Sequence, residues 1–289
     1  MSDVLQAEKA ALPPVLEVSG LEKRYPAFHL ENVGFTLEKG RIMGFIGRNG
    51  AGKTTTLKAL LSLIHTDGGQ IRFFGTDYEG HEKEIRQRVG FASGGVNYYP
   101  RKKLKDITAV TKRFYDSWDE AAYRQCLKAF ALDEEKKPME LSEGMKVKYN
   151  LAVALSHKAE LLILDEPTSG LDPVSRDELL EIFLDLKAAG AAILFSTHIT
   201  SDLEKCADDI TYIKNGQIRA SSSLSDFLSA YRMLEIPSGV PVPDGALGVS
   251  RSRSGASVLL RAEDAAGLEV RPADLEEIMI HLEKEKEDE

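Results

Sequence analysis

Eight consecutive residues, Gly47-Arg48-Asn49-Gly50-Ala51-Gly52-Lys53-Thr54, narrow the folds open to this chain more than any other stretch. They fit G-x-x-x-x-G-K-[ST] without a mismatch. An apolar run ends at Ile46, and Leu57, Leu60, Leu61 and Ile64 then recur at helical spacing, which predicts a strand, a Gly-rich loop and a helix over 54–64. In that setting the glycines let backbone N–H groups converge on phosphates, and the helix N-terminus adds its positive end. Lys53 would neutralise the β- and γ-phosphates and Thr54 would coordinate Mg²⁺. ATP and Mg²⁺ are therefore the expected cofactors, with Gly47, Arg48, Asn49, Gly50, Ala51, Gly52, Lys53, Thr54 and Thr55 as the expected ATP-binding residues.

The apolar pattern around this loop predicts the architecture. Leu16, Val18, Phe28, Leu30, Val33, Phe35, Leu37 and Ile42 fall in short runs broken by Pro26, Gly34 and Gly40, so residues 15–46 read as antiparallel hairpins. From about 93 to 156 the spacing turns helical, carried by Ile107, Val110 and Phe114 and then Tyr123, Leu127 and Phe130, with Pro138 dividing the segments. A continuous apolar strand at 161–164, a helix at 174–189 and a strand at 191–195 restore the alternation of a parallel α/β layer. Beyond Leu224 a helix to Leu234, a Pro/Gly-rich linker over 237–248, two short strands and a last helix from Ala273 are expected. The expected fold is thus α/β, a P-loop NTPase core with a mixed sheet, an antiparallel β subdomain, a helical insertion and a small C-terminal accessory domain. The expected boundaries are an N-terminal extension at 1–14, an ATP-binding domain at 15–222 and the accessory region at 223–289.

Leu161-Leu162-Ile163-Leu164 runs into Asp165-Glu166, a buried strand ending in two carboxylates. Alternation along a strand would point the two in opposite directions, one toward the Mg²⁺ shell and the other toward an attacking water. His198 follows Phe195-Ser196-Thr197 at the end of another expected strand, on the same edge as Asp165. A neutral imidazole there can hydrogen-bond both a γ-phosphate and a water. Glu166 and His198 are the expected catalytic residues of an ATP hydrolase, and Thr54 and Asp165 the expected metal ligands.

Charge and composition exclude other classes. The net charge of -9 argues against a nucleic-acid surface, which needs clustered cations. The one basic cluster, Arg101, Lys102, Lys103 and Lys105, reads as a solvated loop face, and the acidic end from Glu283 as a fraying helix terminus. Cys126 and Cys206 lack metal-ligand spacing and read as reduced thiols. No apolar run approaches the ~20 residues of a membrane-spanning helix, and the first residues lack a secretory pattern, so a cytoplasmic location is expected.

Over roughly residues 15–220 the sequence resembles the nucleotide-binding subunit of ABC transporters. Leu141-Ser142-Glu143-Gly144-Met145 resembles the family's LSGGQ signature, keeping Ser142 and Gly144 and departing at Glu143 and Met145. The resemblance implies that Ser142, Glu143 and Gly144 contact ATP held by an opposite subunit, and that Ser169-Gly170-Leu171-Asp172 is the D-loop, with Ser169 and Asp172 at the dimer interface. It also implies that Tyr25 stacks on adenine. The partners implied are transmembrane permease subunits and a second cassette, either a second copy or a paralogous ATPase subunit, and no nucleic acid; the chain would sit peripherally on the inner face of the cell membrane. A docking surface is expected around 97–118, where Tyr98, Tyr99, Phe114, Tyr115 and Trp118 cluster. Tyr-Asp-Ser-Trp-Asp at 115–119 and the short insertion resemble bacterial exporters, which favours export. The family's usual glutamine before the insertion is missing: Gly94 or Gly95 stands there, with Ser93 and Asn97 as possible substitutes. The alternative reading is a non-transport ABC-type ATPase or an ATP-dependent regulatory module. The first would carry a heptad-patterned coiled coil, which is not visible, and the second would be expected to lack Glu166.

Overall fold

The structure is a computed structural model that describes residues 13–93, 99–251 and 255–284. The chain opens with an antiparallel hairpin, β1 (Leu16–Tyr25) and β2 (Phe28–Leu37), followed by β3 (Ile42–Ile46), the phosphate loop and α1 (Lys53–Leu60). Two further strands, β4 (Gly68–Phe73) and β5 (Thr76–Asp77), complete a four-stranded antiparallel sheet of order β2-β1-β4-β5. Then come α2 (Glu82–Arg88) and β6 (Val89–Ser93), and a helical segment made of α3 (Leu104–Thr111), α4 (Glu120–Ala129) and α5 (Glu143–Ser156). The chain returns through β7 (Leu161–Asp165), α6 (Pro173–Ala188), β8 (Ala192–Thr197), α7 (Thr200–Cys206), β9 (Asp209–Lys214) and β10 (Gln217–Ser223). Last are α8 (Leu224–Ser229), β11 (Tyr231–Pro237), β12 (Gly248–Arg251), β13 (Gly255–Arg261), β14 (Arg271–Pro272) and α9 (Leu275–Lys284).

The central sheet has the order β10-β9-β3-β8-β7-β6, parallel from β9 to β6 with β10 as an antiparallel edge. Both faces are covered. Along β7, Leu161 and Ile163 join the core beneath the antiparallel sheet, while Leu162 and Leu164 join the core under α5 and α6. Strand alternation thus divides one apolar run between two cores. Because β3, β7 and β8 run the same way, their C-terminal ends and the loops that follow share one edge, where open α/β sheets bind ligands.

Three sequence-based expectations are corrected. β3 does not belong to the antiparallel hairpins: all five residues are buried, and it pairs in parallel with β8 and β9. A strand buried on both faces has no alternation to distinguish it from its hairpin neighbours. The helix expected over 224–234 stops at Ser229, and β11 begins at Tyr231. Phe227, Leu228, Tyr231 and Leu234 mimic helical spacing, yet in β11 Met233 faces the main core while Leu234 packs in a separate small cluster with Val258 and Leu260. Finally, α1 ends at Leu60 rather than Ile64, and Ser62 adopts a positive φ of 52° beyond its end.

The C-terminal segment shares its core with the nucleotide-binding part. Leu275, Ile278, Met279 and Leu282 of α9 lie in the same cluster as Ile42, Ile46, Phe195 and Ile210. Among the described residues no helix is long and apolar enough to cross a membrane. Truncating fully buried Ile278 to Ala should therefore cost about 2–5 kcal/mol and shift the unfolding of the whole chain. Urea unfolding followed by far-UV circular dichroism checks this. Two separate transitions, with only the minor one displaced, would contradict the shared core.

Candidate functional site

The phosphate loop turns tightly between β3 and α1. Gly50 (φ 86°) and Gly52 (φ 118°) hold left-handed conformations that favour glycine. Gly47 is required by close approach: a Cβ there would lie 2.2 Å from the carbonyl oxygen of Ile213 on β9. The turn is closed by Ala51 N–H donating to the Arg48 carbonyl at 3.1 Å and tied to the β9–β10 turn by Gly216 N–H donating to the Ala51 carbonyl at 3.0 Å. Lys53, 5% exposed, folds back over the loop. Its ammonium donates to the Gly47 carbonyl at 2.6 Å and the Arg48 carbonyl at 3.3 Å, and stands 3.5 Å from Glu166 Oε1.

The ends of β7 and β8 supply the rest. Thr54 Oγ1 donates to Asp165 Oδ1 at 3.2 Å, and Ser196 Oγ donates to the same oxygen at 2.6 Å. Ser196 Oγ also accepts the Glu166 N–H at 3.0 Å, so one hydroxyl positions both acidic residues. His198 Nδ1 lies 2.8 Å from Glu166 Oε2. The strand-alternation argument for these carboxylates does not hold. β7 stops at Asp165, and Glu166 lies in a turn with φ 50°. That left-handed backbone costs on the order of 1 kcal/mol for a non-glycine residue, and it aims the glutamate at Lys53 and His198.

Around these groups lies a cavity of about 590 Å³, lined by Arg48, Asn49, Gly50, Gly52, Lys53, Thr54, Thr55, Glu166, Ser169 and His198 together with Ala27 and Phe28. The size suits a nucleotide. Backbone N–H groups, a buried ammonium and a helix N-terminus form an anion cradle, and the Thr54–Asp165 oxygen pair suits Mg²⁺, which takes few protein ligands beside substrate phosphates. Among the described residues no cluster of three or more His, Cys, Asp or Glu side chains could hold a metal by itself.

The other expected residues lie elsewhere. Tyr25 does not line the cavity; it is 43% exposed at the hairpin end, paired with Phe28 across the strands and near the Lys23 ammonium. Ser142 is the N-cap of α5 and accepts from Met145 N–H at 3.3 Å, Glu143 pairs with Lys146, and buried Gly144 faces Leu171 of the D-loop. None of the three lines the cavity. Asp172 caps α6, accepting from the N–H groups of Val174 and Ser175, and the Ser175 hydroxyl foremost holds its carboxyl below the usual range. Gly94, Gly95, Asn97 and Tyr98 lie outside the described residues, as does the Ser93 side chain.

Of the expected docking aromatics, Tyr99 and Phe114 are exposed, but Tyr115 stacks on His157 with centroids 3.8 Å apart and Trp118 packs on Tyr123. Those two serve internal packing. Lys103 and Lys105 both pair with Glu135, holding its carboxyl down to about 2, so two of the four cluster cations are engaged within the chain and share one carboxylate.

Sequence reasoning missed three contributors. Ser196 was visible only as part of Ser-Thr-His, Phe28 only as a strand residue, and α9 only as a last helix from Ala273 with no link to the site. Met279, Ile280 and Glu283 of α9 share with Arg48 and His198 a second cavity of about 400 Å³ beside the first. The helix is fastened there by β9: Lys214 Nζ donates to the Leu282 carbonyl at 2.9 Å and the Tyr212 hydroxyl to Glu283 at 3.0 Å.

A parallel sheet whose C-terminal edge carries a phosphate loop, an aspartate and a histidine defines a P-loop nucleotide-binding protein. Residues 30–169 match the ABC transporter family. The chain is 34% identical to the bacitracin transport ATP-binding protein BcrA of Bacillus licheniformis, over 71% of this chain and 68% of that one. It is 36% identical to Nod factor export ATP-binding protein I of Burkholderia lata, over 70% and 68%. A solved ATP-binding subunit of an ABC transporter, 32% identical, superposes with a TM-score of 0.66 over 73% of this chain and 91% of that one. The chain belongs to the ABC transporter family, as an ATP-binding subunit.

Gly47→Ala should disrupt this cradle directly, since its methyl group meets backbone at 2.2 Å. The expected loss is about 1–3 kcal/mol of stability and at least about tenfold in ATP affinity. Denaturant titration and equilibrium binding of a fluorescent ATP analogue measure both. Unchanged values would mean that β9 yields without consequence.

Proposed function

We propose that this subunit hydrolyses MgATP and that the energy drives a substrate, by export, through separate transmembrane permease subunits. The observation that carries the reading is the contact chain from Lys53 to Glu166 to His198 along one cavity wall, at 3.5 and 2.8 Å. Among the described residues Glu166 is the only acidic side chain lining that cavity, and its two oxygens face one cation and one imidazole. When a nucleotide enters, the phosphates compete with Glu166 for Lys53, and the released carboxylate can orient or deprotonate the attacking water. His198 restrains that carboxylate and offers its other ring nitrogen to the γ-phosphate. Thr54 and Asp165 would hold Mg²⁺, whose charge neutralises that of the terminal phosphates.

The position of Ser142 supports a two-cassette arrangement. It begins α5, as an anion-binding helix start would require, yet contributes nothing to the cavity of its own chain. In our reading it meets the nucleotide of a second cassette, a second copy or a paralogue, with Ser169 and Asp172 at the junction. Tyr25 is the platform for adenine at the cavity mouth, two residues from the lining Ala27. Tyr99 and Phe114 are exposed and in this reading meet the permease, with the subunit peripheral on the inner membrane face. Residues 15–222 act as the ATP-binding domain and 223–289 as the accessory region. Export follows from the similarity to relatives named for bacitracin transport and Nod factor export.

Glu166→Gln should retain ATP binding while turnover falls below about a tenth of wild type, a barrier rise above ~1.4 kcal/mol. Phosphate release measured beside nucleotide binding tests the assignment, and a variant hydrolysing at near wild-type rate would remove Glu166 from the mechanism.

The same variant should accumulate as a dimer in MgATP, and adding Ser142→Arg should return it to monomer. Sedimentation velocity distinguishes the states. Dimers that persist with Ser142→Arg would show that α5 is not at the interface.

A further inference from the structure

Three buried polar atoms stand together behind the hydrolytic edge, each without a hydrogen bond: Thr168 Oγ1, Arg176 Nε and Asp202 Oδ2. They are the only such side-chain atoms among the described residues. An unsatisfied buried polar group costs about 1–3 kcal/mol, so three in one place call for an explanation. Asp202 is 1% exposed, and its other oxygen lies 3.9 Å from Arg176 Nε, beyond hydrogen-bond length. Burial pushes its carboxyl up from the usual range, opposed by the Thr168 hydroxyl and the Arg176 guanidinium.

The three residues come from three segments that must agree if the site is to work. Thr168 follows Glu166 by two positions, in the turn that carries it. Arg176 lies on the first turn of α6, whose N-cap is the D-loop residue Asp172. Asp202 lies in the first turn of α7, four residues after His198. A single buried carboxylate thus faces the glutamate turn, the D-loop helix and the histidine helix.

We propose that Asp202 and Arg176 are positioning residues for ATP hydrolysis: their ion pair closes when the D-loop moves inward, and this locks the helix behind His198, which already meets Glu166 at 2.8 Å. Neither residue lines the nucleotide cavity, so both act through other groups. A 3.9 Å separation with polar atoms left over on both partners is the geometry of a pair poised to shorten. A shortening of this separation would complete the bond and give the orphaned Arg176 Nε its partner. The inference rests on the reading of Glu166 and His198 as the hydrolytic pair.

The test uses the purified full chain carrying Asp202→Asn, Arg176→Gln, or both, with Asp202→Glu as the conservative variant. Turnover should fall about tenfold in each single variant while the Kd for MgATP stays within about twofold. The double variant should be no slower than the worse single one, because the two act as a unit. Asp202→Glu should recover part of the rate. The proposal is overturned if turnover stays within about twofold of wild type, if the two single losses multiply, or if Kd rises in step with the lost rate. If Asp202→Asn does not fold, Arg176→Gln decides the matter, since that side chain is partly exposed. Failure of the underlying hydrolytic reading is distinguishable: it appears as wild-type protein that binds MgATP without releasing phosphate.

Discussion

A full positive charge on a side chain with 5% exposure is the constraint around which the nucleotide edge is organised. Lys53 cannot leave its ammonium unanswered in such a place, because an isolated buried charge costs many kcal/mol. The answer comes from two carbonyls of the phosphate loop and one oxygen of Glu166. For the carbonyls to point inward the loop must curl on left-handed glycines and press against β9, which leaves no room for a Cβ at Gly47. For the carboxylate to arrive, the chain after β7 must turn with a positive φ. The loop, the strained glutamate and the register of β3 beside β9 are consequences of one ammonium that must be held where an anion can reach it.

That dependence explains what was legible in the sequence. The phosphate loop, Asp165, Glu166 and His198 could be read because each is a local pattern at the end of an apolar run, and parallel strands bring such ends to one edge. The helical character expected over about 93–156 was legible from periodicity, although the first helix begins only at Leu104, and so was the mixed sheet. Ser196 was not, since its role is a cross-strand one: it stands opposite Asp165 in the β7–β8 register, and nothing local announces a partner 31 residues away. β3 and β11 were misread for opposite reasons. The first has no alternation because it is buried on both faces, and the second has an alternation that coincides with helical spacing over a short stretch.

Glu166 is the more instructive case. The two adjacent carboxylates make different contacts, since Asp165 meets Thr54 and Ser196 while Glu166 meets Lys53 and His198. Strand alternation is not the cause, because β7 ends at Asp165 and Glu166 has a φ of 50°. A strand that simply continued would have turned one carboxylate into the core; ending the strand at Asp165 and bending the backbone keeps both at the edge. The separation of contacts is therefore made by a strained turn, and that turn is held by hydrogen bonds from the Glu166 N–H to Ser196.

The accessory segment meets the same edge from the other side, and α7 is the element both share. This helix has seven residues, a length of about 10 Å, so its two ends cannot move independently. Its first turn buries Asp202 behind His198, and on its outer side Glu204 accepts the backbone N–H of Leu275 at the start of α9, where a negative charge is favoured. The far end of α9 is held by Tyr212 and Lys214 on β9, the strand whose next carbonyl presses on Gly47. α9 therefore bridges the two supports of the site, the helix behind His198 and the strand behind the phosphate loop. A shift of α9 cannot be absorbed by solvent-exposed loops alone, because its buried face is part of the core that carries β3 and β8. The described C-terminal residues, 223–251 and 255–284, are thus continuous through α9 with the nucleotide edge, so a load on α9 reaches the elements that hold Lys53 and His198.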